Sequence, residues 1–336
     1  MLSVYESAGN APAMKDVSSA TDMNMTMCEA KPSVPDLSIV IVNWNTCDLL
    51  ARCIDAIREQ GAQIDYDIWV VDNASTDGSV EILRVEFPWV HLLEAETNLG
   101  FARANNWAMA TCQGRYVLLL NSDAFLLSGA LEELFAAIRG ASNAGAVGAQ
   151  LLNPDGSFQA GASPFPTLWS ELLVLTTLGR RLYGRHYPST GPDERDTSRP
   201  VDYVEGACLL VRREVLEAVG GLDDGYFMYA EEVDWCYRMR QAGWEVWYAP
   251  AARVVHLGGA SSANRRPQRE ADLYRSRVRF FRQHRGNAQA VALKLMIVAL
   301  SLPKIAWHKT LRFLSGGRRG RPVVGLRMLW EAMRGV

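Results

Sequence analysis

Apolar runs and amphipathic segments alternate along residues 37–140. The runs IVIV at 39–42 and VLLL at 117–120 contain no polar alternation, which is typical of strands buried on both faces of a parallel sheet. Further strands are predicted at 68–75 and 91–96, and helical spacing predicts helices at 49–60, 80–86, 102–110 and 131–138. This alternation predicts a Rossmann-like α/β sheet with right-handed crossovers.

Three of the predicted strands end in Asn or Asp side chains. These residues are Asn43 and Asn45, then Asp72 and Asn73, then Asn121 and Asp123. A single Asp at a strand end often does no more than cap the next helix. Ligands of open α/β sheets, however, bind at the carboxyl ends of the strands, so three polar clusters at one edge favour a polar ligand there.

The chain is less regular outside this block. Residues 1–36 lack apolar periodicity and are predicted to be a disordered leader. Residues 153–200 combine a turn, a short apolar segment and a Pro-rich loop, and we expect an acceptor-side elaboration or a flap there. A strand and a helix follow within 202–221, stopped by Gly220 and Gly221, and further strands are predicted at 245–250 and 252–259.

Charge is distributed unevenly along the chain. Residues 265–336 hold 17 Lys or Arg and three acidic residues, a net charge of +14, while the whole chain carries −2. The remaining residues are therefore strongly acidic, and the basic tail suits either nucleic acid or an anionic membrane.

The six cysteines form no CxxC pair. We also find no signal peptide with a charged start followed by an apolar core. Both observations favour a reducing cytoplasm.

The pattern of apolar, aromatic and basic residues in the tail favours a membrane surface over nucleic acid as its partner. Residues 269–285 predict a basic, aromatic helix that packs on the α/β domain with its arginines outward. Residues 288–302 are apolar and end at Pro303, which at 15 residues falls short of the ~20 that span a bilayer. Interfacial docking, a re-entrant helix and a core helix stay open. Aromatic and basic residues interleave beyond that point, as on helices that lie on anionic lipid, and no nucleic-acid recognition module accompanies them.

Seven ordered motifs resemble the family 2 glycosyltransferases, and more narrowly their rhamnosyltransferase-like members. They are SIVIVNWN, VDNASTDGS, NLGFARANN, LLLNSD, VEGACLLVRRE, GLDDGYFMYAEEVDWCYR and VVHLGGAS. The resemblance runs from about residue 37 to residue 262 and implies an inverting enzyme with the GT-A nucleotide-diphospho-sugar transferase fold, with its catalytic domain at 37–264. The residue pattern of 265–336 adds a basic, amphipathic helical C-terminal extension that we expect to be associated with the membrane surface.

The resemblance also implies the donor and metal residues. The first motifs would hold the base and ribose through Asn43, Asp72, Asn73 and Asp77, and the sugar-diphosphate pocket would be lined by Asn98, Gly100, Phe101, Arg103, Asn106, Asn121 and Ser122. Asp123 would be the last carboxylate of the metal-binding DxD element, holding Mg²⁺ or Mn²⁺ with His256. Asn121 replaces the first Asp of that element, which should weaken the metal site.

On the acceptor side the resemblance implies a general base at the start of the helix that contains EEVD. By position this base is Glu232, with Asp234 in reserve, and Gly206, Ala207 and Glu231 lie toward the acceptor. Like charges packed this closely should raise at least one pKa. A Glu in place of the usual Asp moves the carboxylate by about 1 Å, a displacement that can matter for proton transfer.

The sequence thus predicts transfer of a sugar, by resemblance rhamnose from dTDP-rhamnose, to a glycan or polyprenyl-linked acceptor in cell-surface polysaccharide synthesis. The enzyme would be cytoplasmic and peripheral at the inner face of the membrane, without a nucleic-acid partner. One alternative is a catalytically impaired sugar-nucleotide-binding scaffold, because Asn121 and Glu232 replace the expected aspartates. A sugar nucleotidyltransferase is disfavoured because the first strand lacks a Gly-rich, Arg-bearing phosphate loop.

Overall fold

The computed structural model describes residues 34–61, 63–189, 197–259, 266–314 and 325–334. The predicted leader therefore lies outside the described residues apart from 34–36, as does the predicted boundary at 264 and 265. The domain division stays a prediction.

Eleven strands and eleven helices form within the described ranges. The strands are β1 (Leu37–Asn43), β2 (Tyr66–Asp72), β3 (His91–Glu94), β4 (Tyr116–Asn121), β5 (Ala124–Leu126), β6 (Ala144–Leu152), β7 (Ala162–Ser163), β8 (Arg199–Val201), β9 (Tyr203–Val204), β10 (Cys208–Arg212) and β11 (Glu245–His256). The helices are α1 (Cys47–Arg58), α2 (Ser79–Glu86), α3 (Phe101–Thr111), α4 (Ala130–Gly140), α5 (Leu168–Leu175), α6 (Leu178–Tyr183), α7 (Arg213–Val219), α8 (Glu231–Gln241), α9 (Arg266–His284), α10 (Asn287–Leu314) and α11 (Leu326–Arg334).

One sheet organises the molecule, in the order β3-β2-β1-β4-β10-β6-β11-β5, with β8 on β11. The strands β3, β2, β1 and β4 are parallel, as predicted. In the β1–β2 register Asn43 lies opposite Asp72, and in the β1–β4 register Val42 lies opposite Asn121. The predicted polar strand ends therefore meet at one edge.

The rest of the sheet, beyond the block of βα units, is mixed, and β11 pairs parallel with β6. Strand β10 runs antiparallel to both β4 and β6, and β5 and β8 run antiparallel to β11. The two strands predicted at 245–250 and 252–259 form one strand, β11, with a register shift between Ala249 and Arg253. Strand β11 thereby brings His256 to the edge where β4 ends.

Burial explains why the apolar runs became central strands. Ile39, Ile41 and Leu118 on one face of the sheet and Val40 and Leu119 on the other are all at most 1% exposed. Each face packs against a helical layer, with α1 and α4 on the first and α3 and α8 on the second. Each fully buried side chain of this size contributes roughly 1.5–3 kcal/mol, so the strands that carry the strand-end residues are rigid.

Helix α9 packs on the catalytic body, as predicted, through Val278, Phe280 and Phe281, each at most 1% exposed. Its arginines are not all directed outward. Arg277 pairs with the buried Glu171 at 2.9 Å, and Arg279 pairs with Asp223 at 2.9 Å.

The prediction that the apolar helix ends at Pro303 was wrong. Helix α10 continues to Leu314 with Pro303 inside it. Proline removes one main-chain hydrogen bond, and here the helix persists beyond that loss. As a consequence Asn287–His308 contains an 18-residue window with a mean hydropathy of 1.7 and is long and apolar enough to cross a membrane, although 28% of that window is buried in the protein.

Candidate active site

A cleft of about 230 Å³ opens at the carboxyl edge of β1 and β4. Twelve of the eighteen predicted site residues line it. They are Asn73, Asn98, Gly100, Phe101, Asn121, Ser122, Asp123, Gly206, Ala207, Glu231, Glu232 and His256. The sheet edge, the α3 start and the α8 start are thus brought together around one volume, which is the convergence that the strand-end pattern predicted.

Asp123 and His256 lie side by side on one wall. His256 Nδ1 is 2.6 Å from Gln159 Oε1, and the Gln159 amide nitrogen donates to Asn153 Oδ1 and to the His256 carbonyl. These bonds fix the orientation of the Gln159 amide, so its oxygen must accept and Nδ1 must carry the proton. In the neutral imidazole, Nε2 is therefore left with its lone pair directed toward Asp123, whose Oδ1 lies at 3.3 Å.

This spacing fits two ligands of one hard cation. Ligands bound at 2.0–2.1 Å and at a right angle are about 3 Å apart in octahedral geometry. The described residues contain no group of three or more His, Cys, Asp or Glu that could hold a metal ion. A cation here would complete its coordination with phosphate oxygens and water, as Mg²⁺ does at many nucleotide sites.

Asn121 supports the histidine. Its Nδ2 lies 3.3 Å from His256 Nε2, close to the Asp123 contact. At this position an Asn contributes a neutral amide where an Asp would add a second charge.

Two carboxylates, Glu231 and Glu232, also line the cleft and are only 4% and 8% exposed. Burial raises the pKa of Glu231 to about 8, and Glu231 Oε2 has no hydrogen-bond partner among the described residues. Burial, followed by the charges of Glu231 and Glu205, raises the pKa of Glu232 well above its ordinary value. The predicted upward shift is confirmed, and burial is its larger cause.

Strained backbone precedes these carboxylates. Tyr229 and Ala230 have φ of 72° and 63°, the left-handed region that non-glycine residues rarely adopt. Each such residue costs of order 1–3 kcal/mol, and such strain clusters at functional sites. The Asp234 amide donates to the Ala230 carbonyl at 2.9 Å, so the strained turn leads directly into α8.

Gly100 permits the start of α3 to pack closely against the 227–230 turn. Its φ is 81°, and a Cβ at this position would lie 2.5 Å from the Phe227 carbonyl oxygen. The next residue, Phe101, donates its amide to that same oxygen at 2.9 Å. A side chain at position 100 would therefore push the α3 start away from the 227–230 turn.

Asn43 and Asp72 do not line the cleft, although they were predicted to bind the nucleotide. Asn43 Nδ2 donates to Asp72 Oδ1 at 3.0 Å, Thr46 Oγ1 donates to Asn43 Oδ1 at 2.6 Å, and the Ser75 amide donates to Asp72 Oδ2. Both side chains are at most 2% exposed. Their amide and carboxylate groups join the β1 and β2 loops instead.

Three other residues were predicted to bind the nucleotide-sugar donor but do not line the cleft. Asp77 accepts from the Cys47 amide at 2.8 Å at the start of α1. Asn106 donates to the Leu222 carbonyl and to Asp224, both at 2.7 Å, which ties α3 to the loop before α8. Arg103 is exposed and lies outside the cleft lining.

Asp234 is also turned away from the cleft. Its two oxygens accept from Arg238 Nε at 2.8 Å and contact His284 Nε2 at 2.7 Å, and it is 1% exposed. A carboxylate engaged at both oxygens is a poor base, so Asp234 is dropped as a candidate.

The prediction missed several residues that line the cleft, among them Trp44, Glu205, Tyr229 and Arg269. Trp44, Glu205 and Tyr229 stand inside the quoted motifs, one, one and two residues from assigned positions, so proximity could have found them. Arg269 was read as part of the tail, and nothing in the local pattern around it indicated a return to the cleft.

Comparison with known proteins gives a consistent result. The family model described as Glycosyl transferase family 2 matches residues 38–220. The N-acetylglucosaminyl-diphospho-decaprenol L-rhamnosyltransferase of Mycobacterium tuberculosis is 34% identical over 233 residues, which cover 66% of this chain and 75% of that protein.

Two solved structures share the fold. The mannosyltransferase PcManGT from Pyrobaculum calidifontis, in complex with GDP-Man and Mn²⁺, aligns with a TM-score of 0.53 and 19% identity, over 81% of this chain and 74% of that one. GalNAc-T7 with UDP, GalNAc and Mn²⁺ aligns with a TM-score of 0.50 and 16% identity. The latter match covers 66% of this chain and 43% of that one.

Proposed function

The chain belongs to glycosyl transferase family 2 and is a glycosyltransferase of GT-A fold, and from this premise we propose that it transfers a sugar with inversion from a nucleotide donor to a lipid-linked glycan acceptor. One observation carries the proposal. The Asp123–His256 pair and the Glu231–Glu232 pair line one and the same cleft.

In the proposed reaction Glu232 takes the proton from the acceptor hydroxyl. The resulting oxygen attacks the anomeric carbon from the side opposite the leaving group. The bond from that carbon to the phosphate oxygen breaks, and its electron pair leaves with the nucleoside diphosphate. Displacement in a single step inverts the anomeric centre.

Burial raises the pKa of Glu232, and a carboxylate with a raised pKa is a stronger proton acceptor in its ionised form. Glu231, with its unpartnered oxygen, would accept a hydrogen bond from a neighbouring acceptor hydroxyl or donate one when protonated. Gly206 lies close to Glu232, since a Cβ there would be in van der Waals contact with the Glu232 Cβ at 3.6 Å. Both residues line the cleft, and the acceptor sugar would bind in that volume beside them.

Asp123 and His256 would hold the divalent cation, Mg²⁺ or Mn²⁺. When bound, it would neutralise charge on the diphosphate as the donor bond breaks. Asn121 and Gln159 would orient His256 through the contacts already described. Hydrogen-bonded partners of this kind usually fix the tautomer and direction of a metal-bound histidine.

The substrate class follows from the relatives. The mycobacterial protein is named as an L-rhamnosyltransferase acting on a decaprenol-linked N-acetylglucosaminyl diphosphate. We propose rhamnose from dTDP-rhamnose as the donor sugar and a polyprenyl-linked glycan as the acceptor, in the synthesis of a surface polysaccharide.

Helix α10 would bring the enzyme to its acceptor. It buries Ala290, Leu293 and Ile297 against the protein, while Val291 and Leu295 are 54% and 66% exposed. Further along, exposed apolar residues continue with Leu302, Trp307, Phe313 and Leu314. One apolar face is thus packed and the other is open, as in a helix that lies in a membrane interface.

The positive charge of the C-terminal tail also favours binding to a membrane surface. The tail that contains α10 carries a net charge of +14, which an anionic leaflet attracts at about 1 kcal/mol per basic residue close to it. We propose a peripheral position at the inner face of the cytoplasmic membrane. Lys309 and Arg312 belong to this helix, whereas Arg318, Arg319 and Arg321 lie outside the described residues.

The proposal is tested by donor hydrolysis and transfer with dTDP-, UDP- and GDP-sugars, on membrane-extracted lipid acceptors, with and without Mn²⁺ or Mg²⁺. We expect metal-stimulated release of one nucleoside diphosphate and a product of inverted anomeric configuration. Glu232→Gln should lower turnover at least a hundredfold with nucleotide binding retained, because general base catalysis contributes typically 10²–10⁴-fold. Glu217→Gln, on the exposed side of α7, is the matched control.

Nucleotide binding without turnover on any acceptor would instead support the scaffold alternative. Retention of the donor configuration in the product would overturn the single-displacement mechanism even if transfer occurs.

A further inference from the structure

The charged side chains that line the cleft are mostly acidic. Asp123, Glu205, Glu231 and Glu232 line it, and Arg269 is the one Lys or Arg among the described lining residues. A nucleotide sugar brings a diphosphate with at least two negative charges into this volume. A divalent cation on Asp123 and His256 would offset part of that charge, and the guanidinium is the remaining positive group at hand.

Arg269 is held in place by an aromatic ring. Its guanidinium carbon lies 5.5 Å from the centroid of the Tyr229 ring, within the range of a cation–π contact. Tyr229 lines the cleft itself and has the strained left-handed backbone described above. Arg269 is exposed to solvent in the absence of a ligand, so its five donors are accessible to an incoming anion.

The helix that carries Arg269 is fastened to the catalytic turn. Ser276 Oγ donates to the Met228 carbonyl at 2.9 Å, Arg279 pairs with Asp223, and Tyr226 donates to Gln283 at 2.8 Å. All three contacts join α9 to residues 223–228, immediately before the turn that leads into Glu231 and Glu232. The first turn of α9 is therefore positioned by the same segment that positions the carboxylates.

An exposed arginine on a helix usually does no more than solvate the surface or cover an aromatic ring. Arg269 differs from others on α9 because it borders the cleft. Arg275 instead pairs with Asp272 within the helix at 2.9 Å, and Arg277 pairs with Glu171. Residue 269 also lies beyond residues 38–220, which the family model matches.

We propose that Arg269 binds the diphosphate of the nucleotide donor and stabilises the nucleoside diphosphate as it leaves. The inference rests on the proposed function. Its guanidinium donates hydrogen bonds to phosphate oxygens, in the bidentate geometry that suits arginine, and transfers no proton. When the bond between the anomeric carbon and the phosphate oxygen breaks, its electron pair stays on that oxygen. The positive charge of Arg269 stabilises the negative charge that develops there.

The test measures binding rather than turnover. Calorimetry with the full chain compares dTDP, dTMP and thymidine, and the UDP and GDP series in parallel, at saturating Mg²⁺ and without metal. The proteins are the unmodified chain, Arg269→Ala, Arg269→Lys and the control Arg282→Ala, which removes an exposed arginine from the far end of α9.

We expect Arg269→Ala to weaken nucleoside diphosphate binding at least tenfold and to leave nucleoside binding unchanged, since hydrogen bonds to charged groups are the strong ones. Arg269→Lys should recover only part of the loss, because an ammonium lacks the planar fork. Arg282→Ala should match the unmodified chain.

Equal affinity of Arg269→Ala and the unmodified chain for the diphosphate would overturn the inference. So would an equal loss for the diphosphate and the nucleoside, which would indicate a displaced turn instead of a lost phosphate contact. Failure of the proposed function would be recognised separately, because the transfer assay with the unmodified chain would then show no turnover, whatever the binding measurements give for Arg269→Ala.

Discussion

Glu231→Gln should change how stability depends on pH. Glu231 is 4% exposed, its Oε2 has no partner among the described residues, and burial raises its pKa from 4.5 to about 8. Between these two values the folded chain holds a proton that the unfolded chain releases. Stability contributed by this group is therefore complete below pH 4.5 and is lost as the pH rises toward 8.

The magnitude follows from the two pKa values. One pKa unit corresponds to about 1.36 kcal/mol, and integration from pH 5 to pH 8 gives a loss of about 3 to 4 kcal/mol in the unmodified chain. Glutamine has the same shape and does not titrate, so the variant should escape this loss. Its stability relative to the unmodified chain should rise by that amount over the same range.

Urea unfolding of the metal-free and nucleotide-free protein at pH 5, 6, 7 and 8 measures the effect. Comparing the pH dependence of the two proteins cancels the constant cost of burying an amide. Glu217→Gln, on an exposed side chain, should follow the unmodified chain at every pH. Parallel pH profiles for Glu231→Gln and the unmodified chain would refute a buried, proton-binding Glu231.

Other expectations follow from the same structure. Gly100→Ala should destabilise the fold by more than about 2 kcal/mol, because it meets the Phe227 carbonyl in addition to its unfavourable φ, whereas Gly129→Ala, with a φ of 80° and open space around it, should cost about 1 kcal/mol. Urea unfolding would measure both, and equal costs would contradict the close approach. Asp123→Asn should raise the Mn²⁺ concentration for half-maximal transfer at least tenfold, and an unchanged metal titration would remove Asp123 from the metal site. The double variant Trp307→Ser and Phe313→Ser, which removes rings that are 64% and 87% exposed, should reduce sedimentation with vesicles containing phosphatidylglycerol several-fold without changing thermal unfolding.

The sequence was sufficient for those parts of the site that depend on local pattern. Buried strands with polar ends predicted the meeting of Asn73, Asn121 and Asp123, because βα units place successive strand ends at one edge. The helix that starts at Glu231 was likewise readable from its acidic first turn. The alternation of strands and helices predicted the parallel half of the sheet. The basic, aromatic pattern of residues 269–285 predicted that α9 packs on the rest of the protein.

Residues whose setting depends on distant segments were harder to assign. Asn106 and Asp234 stand in the expected motifs, but contacts with Leu222 and His284, 116 and 50 residues away, engage their polar atoms. A polar side chain in a motif looks the same whether it faces a ligand or joins two loops. Arg269 was missed because the return of α9 to the cleft is decided by contacts with residues 223–228.

The fastening of α9 to the 223–228 segment has a practical consequence for anyone who trims this protein. Removing the basic helices to obtain a soluble fragment would uncover the surface that Val278, Phe280 and Phe281 fill. It would also deprive Asp223 and Asp234 of their partners on α9, Arg279 and His284. Such a fragment would keep the whole match to the family model and still lose the support of its catalytic turn, so a cut placed by sequence similarity alone would be in the wrong place.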